Sequence, residues 1–315
     1  MDGLRGEVLD WFEAGRIAPG RERAVLRAAS ILPAPADWRD FLGRLTLWLG
    51  TVALAVSIIF FFAFNWDELG RFAKLGLVEA AILIVLLACW RLDPDSAPGK
   101  AALLALSLLA GALLALTGQI YQTGADTFEL FGWWALLILP WVVVSRFSPL
   151  WLLWLFLLDL AAFFYFQRSW QPDGLLWSLF GLNAVALAGW EAAHRLGVAW
   201  LRDSWPPRLV AMVSGAAATA LAIWGILDSG RTTALAGLAY LAWLAAFYLW
   251  YRRARPDLFM LAVGLLSLII AVAVFLADNV LGSGSAGLLL IGLVVIGMSA
   301  GGAVWLRSAA REAAA

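Results

Sequence analysis

Apolar runs of about 20 residues, broken by short polar stretches, recur ten times between Leu45 and Leu306. They occupy residues 45–64, 72–90, 101–120, 128–145, 149–167, 175–193, 207–227, 232–251, 257–277 and 286–306. A helix of that length crosses the roughly 30 Å hydrocarbon core of a bilayer. The first run, Leu45 to Phe64, holds no ionisable residue, and Arg44 closes the charged stretch before it. Inside lipid every backbone N–H and C=O must find a partner within the protein, and long uninterrupted apolar runs meet that demand as helices. The pattern predicts an all-α polytopic membrane protein with ten transmembrane helices over residues 44–307. A small domain over residues 1–43 precedes them and a tail over residues 308–315 follows.

The leading segment has an amphipathic period instead. Leu4, Val8, Trp11 and Phe12 fall on one face of a short helix that Gly15 ends, Pro19-Gly20 makes a turn, and Val25, Leu26, Ala29 and Leu32 share a face of a second helix. This predicts a helical hairpin. Up to and including Arg44, seven acidic and seven basic residues cancel, so the segment is no polybasic lipid anchor. Two helices of this size bury too little surface to stand alone. The hairpin therefore needs support from its own membrane domain, from a second copy, or from a membrane-protein partner. No short apolar region with a small-residue cleavage site opens the chain, so the first apolar run is expected to direct insertion.

Composition narrows the function classes. Hydrophobic residues make up 63% of the chain and charged residues 14%, against about 25% charged in soluble domains. Net charge is zero and no basic helix or aromatic RNA motif is present, which sets nucleic acid aside as a partner. One cysteine, Cys89, and one histidine, His194, cannot build a disulfide framework, a zinc site or a serine triad. The expectation is a protein without metal or cofactor and without enzymatic activity.

Charge placement gives the runs a direction. The leading segment, the even-numbered connections and the tail hold 18 of the 22 Lys and Arg residues, and the other connections hold only Arg71, Lys74, Arg168 and Arg231. The positive-inside rule then places both termini in the cytoplasm and favours an even number of crossings. Many of the 19 tryptophans fall near run ends, as an interfacial belt requires. Ser148-Pro149 reads as a cap followed by a helix start, Asp126 and Glu129 have capping-box spacing, and Pro140 should kink its helix. Gly292, Gly297, Gly301 and Gly302, and likewise Ala211, Gly215 and Ala218, suit close helix approach.

Charges inside the hydrocarbon are costly, so they mark candidate sites. Glu79 lies about two turns into the second run and Asp159 near the middle of the fifth, with Asn183 at similar depth in the sixth. Glu191 is near enough to a run end to be solvated. A denser group is predicted on the outer face, where Asn65, Trp66 and Asp67 end the first run and Gln119, Tyr121 and Gln122 end the third. Together with Glu79 these could bind a polar headgroup or a small solute, with Glu79 as a proton-linked or cation-binding carboxylate. Asn65 and Gln119 could equally cap helix ends or bridge helices.

The order Trp11-Phe12-Glu13-Ala14-Gly15-Arg16-Ile17, then Asn65-Trp66-Asp67-Glu68, then Gly118-Gln119-Ile120-Tyr121-Gln122 resembles the bacterial membrane proteins grouped as domain of unknown function 2157. The resemblance covers about the first 150 residues. It implies a bacterial inner-membrane location and implies no reaction. The combined expectation is a multi-pass protein that binds or transports a small solute or lipid through a polar site open to the outer face. The alternative is a non-transporting structural or regulatory membrane partner that docks through the hairpin.

Overall fold

The computed structural model describes residues 11, 14–16, 20–28, 32–33, 35–64, 70–122, 124–201, 203–227, 233–278 and 285–314. Their regular structure is helical throughout: α1 Glu22–Ala28, α2 Pro35–Phe64, α3 Arg71–Arg91, α4 Ala97–Tyr121, α5 Thr127–Ser145, α6 Ser148–Ser169, α7 Pro172–Arg195, α8 Trp205–Leu227, α9 Thr233–Leu249, α10 Leu258–Leu276 and α11 Ser285–Ala314. A 3₁₀ turn, Ala199–Leu201, links α7 to α8, and α9 continues into a π-helical turn, Trp250–Ala254. Among the described residues nine helices, α3 to α11, are long and apolar enough to cross a membrane. They coincide with the last nine predicted runs. The first run forms the C-terminal part of α2, which starts at Pro35 and passes residue 43 without a break. The predicted tail likewise continues α11 as far as Ala314. Of the predicted hairpin, α1 corresponds to the second helix, and most of the first lies outside the described residues.

The chain forms two compact units, residues 1–113 and 114–315. In the first, the α3–α4 connection is built by local side-chain chemistry. The Asp95 amide donates to Asp93 Oδ1 (3.1 Å), and the Ser96 hydroxyl donates to the Asp93 carbonyl (2.6 Å) while accepting from the Gly99 amide (3.1 Å). Ser96 thus caps α4, and Pro98-Gly99 sits within its first turn rather than in the loop. A Cβ on Gly99 would stand 2.1 Å from the Asp93 carbonyl oxygen, so only glycine lets the connection fold back on the helix.

The second unit is organised by α8. Of its span 56% is buried, against at most 33% for any other crossing helix. It packs on α7, α9 and α10, and its buried positions include Ala211, Ser214, Gly215, Ala217, Ala218, Thr219 and Ala222. Apolar side chains gain nothing by leaving lipid for each other, so helices associate through close packing and hydrogen bonds. Small residues on α8 permit both. A hydroxyl chain ties three helices together: Tyr240 OH lies 3.0 Å from Ser267 Oγ, which lies 2.7 Å from Thr219 Oγ1, which donates to the Gly215 carbonyl (2.6 Å). Since Thr219 spends its proton on that carbonyl, Ser267 donates to Thr219 and Tyr240 to Ser267.

Short hairpins join the helices beside α8. Arg146 and Trp170, both left-handed (φ 48° and 49°), end α5 and α6. The α5–α6 pair is held by stacking of Phe131 on Phe164 (5.4 Å between centroids), by Trp154 Nε1 donating to the Ala135 carbonyl (3.1 Å), and by the Arg168–Asp126 ion pair. Asp126 occupies the N-cap of α5, yet its side chain makes no capping bond, because the carboxylate is turned to Arg168. The predicted capping box with Glu129 is therefore not formed. Nor does Ser148 cap α6: Phe147 holds the cap position, and Ser148 and Pro149 lie inside the first turn.

Gly302 of α11 meets α10 so closely that a Cβ would lie 2.2 Å from Leu265 Cδ2, whereas Gly297 has open space. Gly302→Leu should therefore cost about 1–3 kcal/mol by overpacking, read as a lower unfolding midpoint in detergent. Gly297→Leu should leave the midpoint unchanged.

Candidate functional site

Two helical stripes in the second unit face each other. On α7 the stripe is Phe180, Ala184, Leu187, Ala188 and Glu191; on α9 and its π turn it is Ala239, Ala242, Trp243, Ala246, Phe247, Trp250 and Tyr251. Both follow the three-and-four spacing of a single helix face. The alanines leave space, while Trp243 and Phe247, stacked at 4.7 Å, are buried beneath it. The Trp243 ring packs against Gly215 of α8, where a Cβ would come within 3.3 Å of it. The result is a groove of about 610 Å³ whose lining is apolar except at one end, within the size range of small-molecule sites.

That end is a buried carboxylate centre. Glu191 accepts from Tyr251 OH (2.9 Å, Oε1), from Trp250 Nε1 (3.2 Å, Oε2) and from Arg255 Nη1 (2.9 Å to Oε1 and 3.1 Å to Oε2). Its side chain is 5% exposed and that of Arg255 21%. The π turn brings the donors together. Its wider winding, with the Arg255 amide on the Trp250 carbonyl (3.0 Å), carries the Trp250, Tyr251 and Arg255 side chains to one carboxylate. On the other side of Trp250 the exposed Arg195 guanidinium lies 3.9 Å from the ring centroid, a cation–π contact at the groove's charged end.

Beyond Tyr251 a second, more polar cavity of about 450 Å³ opens between α8, the π turn, α10 and α11. Arg208, Arg252 and Arg255 line it together with Asp257. Asp257 caps α10, accepting from the Phe259 and Met260 amides (3.0 and 3.3 Å), and also accepts from Arg208 through Nε and Nη2 (3.1 and 3.2 Å). Arg252 pairs with Glu312 of α11.

The predicted site residues fare differently. Asn65, Trp66 and Asp67 lie outside the described residues. Glu79 is on an exposed face of α3 in the first unit. Gln119 and Tyr121 end α4 exposed, and Gln122 follows with left-handed backbone (φ 45°), all in the second unit. Asp159 and Asn183 do meet: Asn183 Nδ2 donates to Asp159 Oδ1 (2.9 Å) and to the Leu179 carbonyl (3.0 Å), bridging α6 and α7. Glu191, expected to be solvated, is instead buried, because α9 and the π turn cover it with three donors. Its sequence signal is its spacing: Glu191 continues the Phe180-Ala184-Leu187 stripe, so it had to face a neighbour.

Helices of this length and apolarity, with large apolar side chains such as Val185, Leu289 and Val304 on their outer surfaces, define a multi-pass helical membrane protein. Residues 9–151 match the family model described as "Predicted membrane protein (DUF2157)". The match contains the Asn65-Trp66 and Gln119-Ile120-Tyr121 motifs, while the groove and its carboxylate centre lie beyond it. No curated protein and no solved structure matches the chain.

Glu191 is buried against a half-buried Arg255, whereas the Arg168–Asp126 pair is exposed, with side chains 66% and 42% accessible. Arg255→Ala leaves a buried carboxylate without its cation and should cost about 3–5 kcal/mol. Arg168→Ala should cost about 1 kcal/mol or less. Unfolding midpoints of the two variants in one detergent check the contrast.

Proposed function

We propose that the protein is a lipid-binding protein of a bacterial inner membrane, with both termini in the cytoplasm and no catalysis of its own. The groove between α7 and α9 carries the reading: a long apolar trough that closes on a fixed charged centre has the two-part chemistry of a lipid. A chain moving from bilayer to groove gains no hydrophobic energy, so retention comes from shape and from the charged end. Arg195 supplies an exposed cation there, and each basic residue near the membrane surface attracts anionic headgroups by about 1 kcal/mol. The cytoplasmic placement of this end is supported by the basic residues clustered there, Arg195, Arg252, Arg253 and Arg255. This moves the expected site from the outer face to the inner one. Coupled transport has less support, since Glu79 is exposed and Asp159 is engaged by Asn183.

Ala242→Phe places a ring in the groove without touching the charged centre. It should abolish one tightly retained phospholipid per chain, measured by native mass spectrometry after detergent extraction, with the unfolding midpoint preserved. Equal lipid retention in the variant would overturn the reading.

A further inference from the structure

We propose that the arginine-lined cavity beyond Tyr251 binds a phosphate group, and that Glu312 of α11 is the internal carboxylate which that phosphate displaces. Among the described residues, three guanidinium side chains, Arg208, Arg252 and Arg255, line one cavity of about 450 Å³ with a single carboxylate, Asp257. Two of the three are committed. Arg208 is held in a fork by Asp257 and lies 5.3 Å from the Phe259 ring centroid, and Arg255 is held by buried Glu191. Both of those carboxylates have further donors, so neither has acceptor capacity idle: Asp257 takes two backbone amides, and Glu191 takes a phenol and an indole. These pairs form the walls.

Arg252 is different. Its side chain is largely covered, 21% exposed, whereas its partner Glu312 is 63% exposed and comes from the last turn of another helix. An ion pair with one partner in water contributes little and exchanges readily. When Glu312 leaves, the cavity holds one cation in excess, flanked by two guanidiniums whose remaining N–H groups can donate. A phosphate dianion or monoester fits that array better than a carboxylate does, because it offers more acceptor oxygens for planar, forked donors. Arg253, exposed on the same turn, adds to the local field. The phosphate can be free in solution or carried on a lipid headgroup. The cavity shares only Tyr251 with the lining of the apolar groove, so the two sites are separable.

The test uses the full chain in detergent, titrated with inorganic phosphate against sodium chloride at matched ionic strength, with the unfolding midpoint as readout. Phosphate should raise the midpoint saturably beyond chloride. Arg252→Gln should remove that increment, and Glu312→Gln should tighten the apparent affinity about two- to fivefold, the strength of the exposed pair it deletes. The groove-filled Ala242→Phe protein should keep the response, which separates this site from lipid binding in the groove. In a second arm the protein sits in nanodiscs with or without phosphatidic acid. An Arg252-dependent gain there without a response to free phosphate identifies the headgroup as the source. No Arg252-dependent gain in either arm overturns the site, and unchanged affinity in Glu312→Gln overturns the displacement.

Discussion

A carboxylate withdrawn from water must be given a cation and enough donors, and the second unit is arranged around one that has been. Glu191 takes four hydrogen bonds from three side chains, two on the π turn and one, Arg255, at its C-terminal cap. Desolvating two charges costs several kcal/mol each unless the geometry is close and the remaining lone pairs are filled. That requirement fixes the orientation of Trp250 and Tyr251, and with them the end of the groove on one side and a wall of the arginine cavity on the other. It also explains the winding of the π turn, whose i to i+5 bond costs regularity and returns a convergent donor set.

Packing around α8 makes that arrangement possible. Hydrophobic surface provides no drive for helices to associate within lipid, so the unit relies on small residues and on satisfied hydroxyls. The Trp243 ring packs against Gly215, and the Tyr240–Ser267–Thr219 chain fixes α9 and α10 on α8 at the same level. With α9 anchored by its buried face, its alanine face is left opposite the alanines of α7. The groove is thus a consequence of where the small residues fall: those facing α8 close the packing, and those facing α7 leave it open.

The fold class was legible because run length and apolarity are imposed by the bilayer itself, and α3 to α11 begin and end close to where the runs do. Helix ends were less legible. Asp126 and Ser148 have the right chemistry to cap, but Asp126 is claimed by Arg168, and Ser148 is displaced into the helix by Phe147. Competition of that kind depends on a partner 42 residues away, which local spacing does not report. The Asp159–Asn183 contact shows the intermediate case: both residues stand out as polar groups at one depth, and only the pairing of α6 with α7 joins them. Glu191 was hidden for the opposite reason, since proximity to a run end mimics solvation, while its place in the Phe180 stripe announces burial.

Lipid binding requires that the groove between α7 and α9 be occupied by an acyl chain. A structure of the full chain in phospholipid nanodiscs, determined by single-particle electron microscopy, would show whether it is. Continuous acyl-chain density is expected along Ala184, Ala188, Ala239, Ala242 and Ala246, running to the Glu191–Trp250 end beside Arg195. A groove filled by protein side chains, or closed by direct contact of α7 with α9, would contradict lipid binding there.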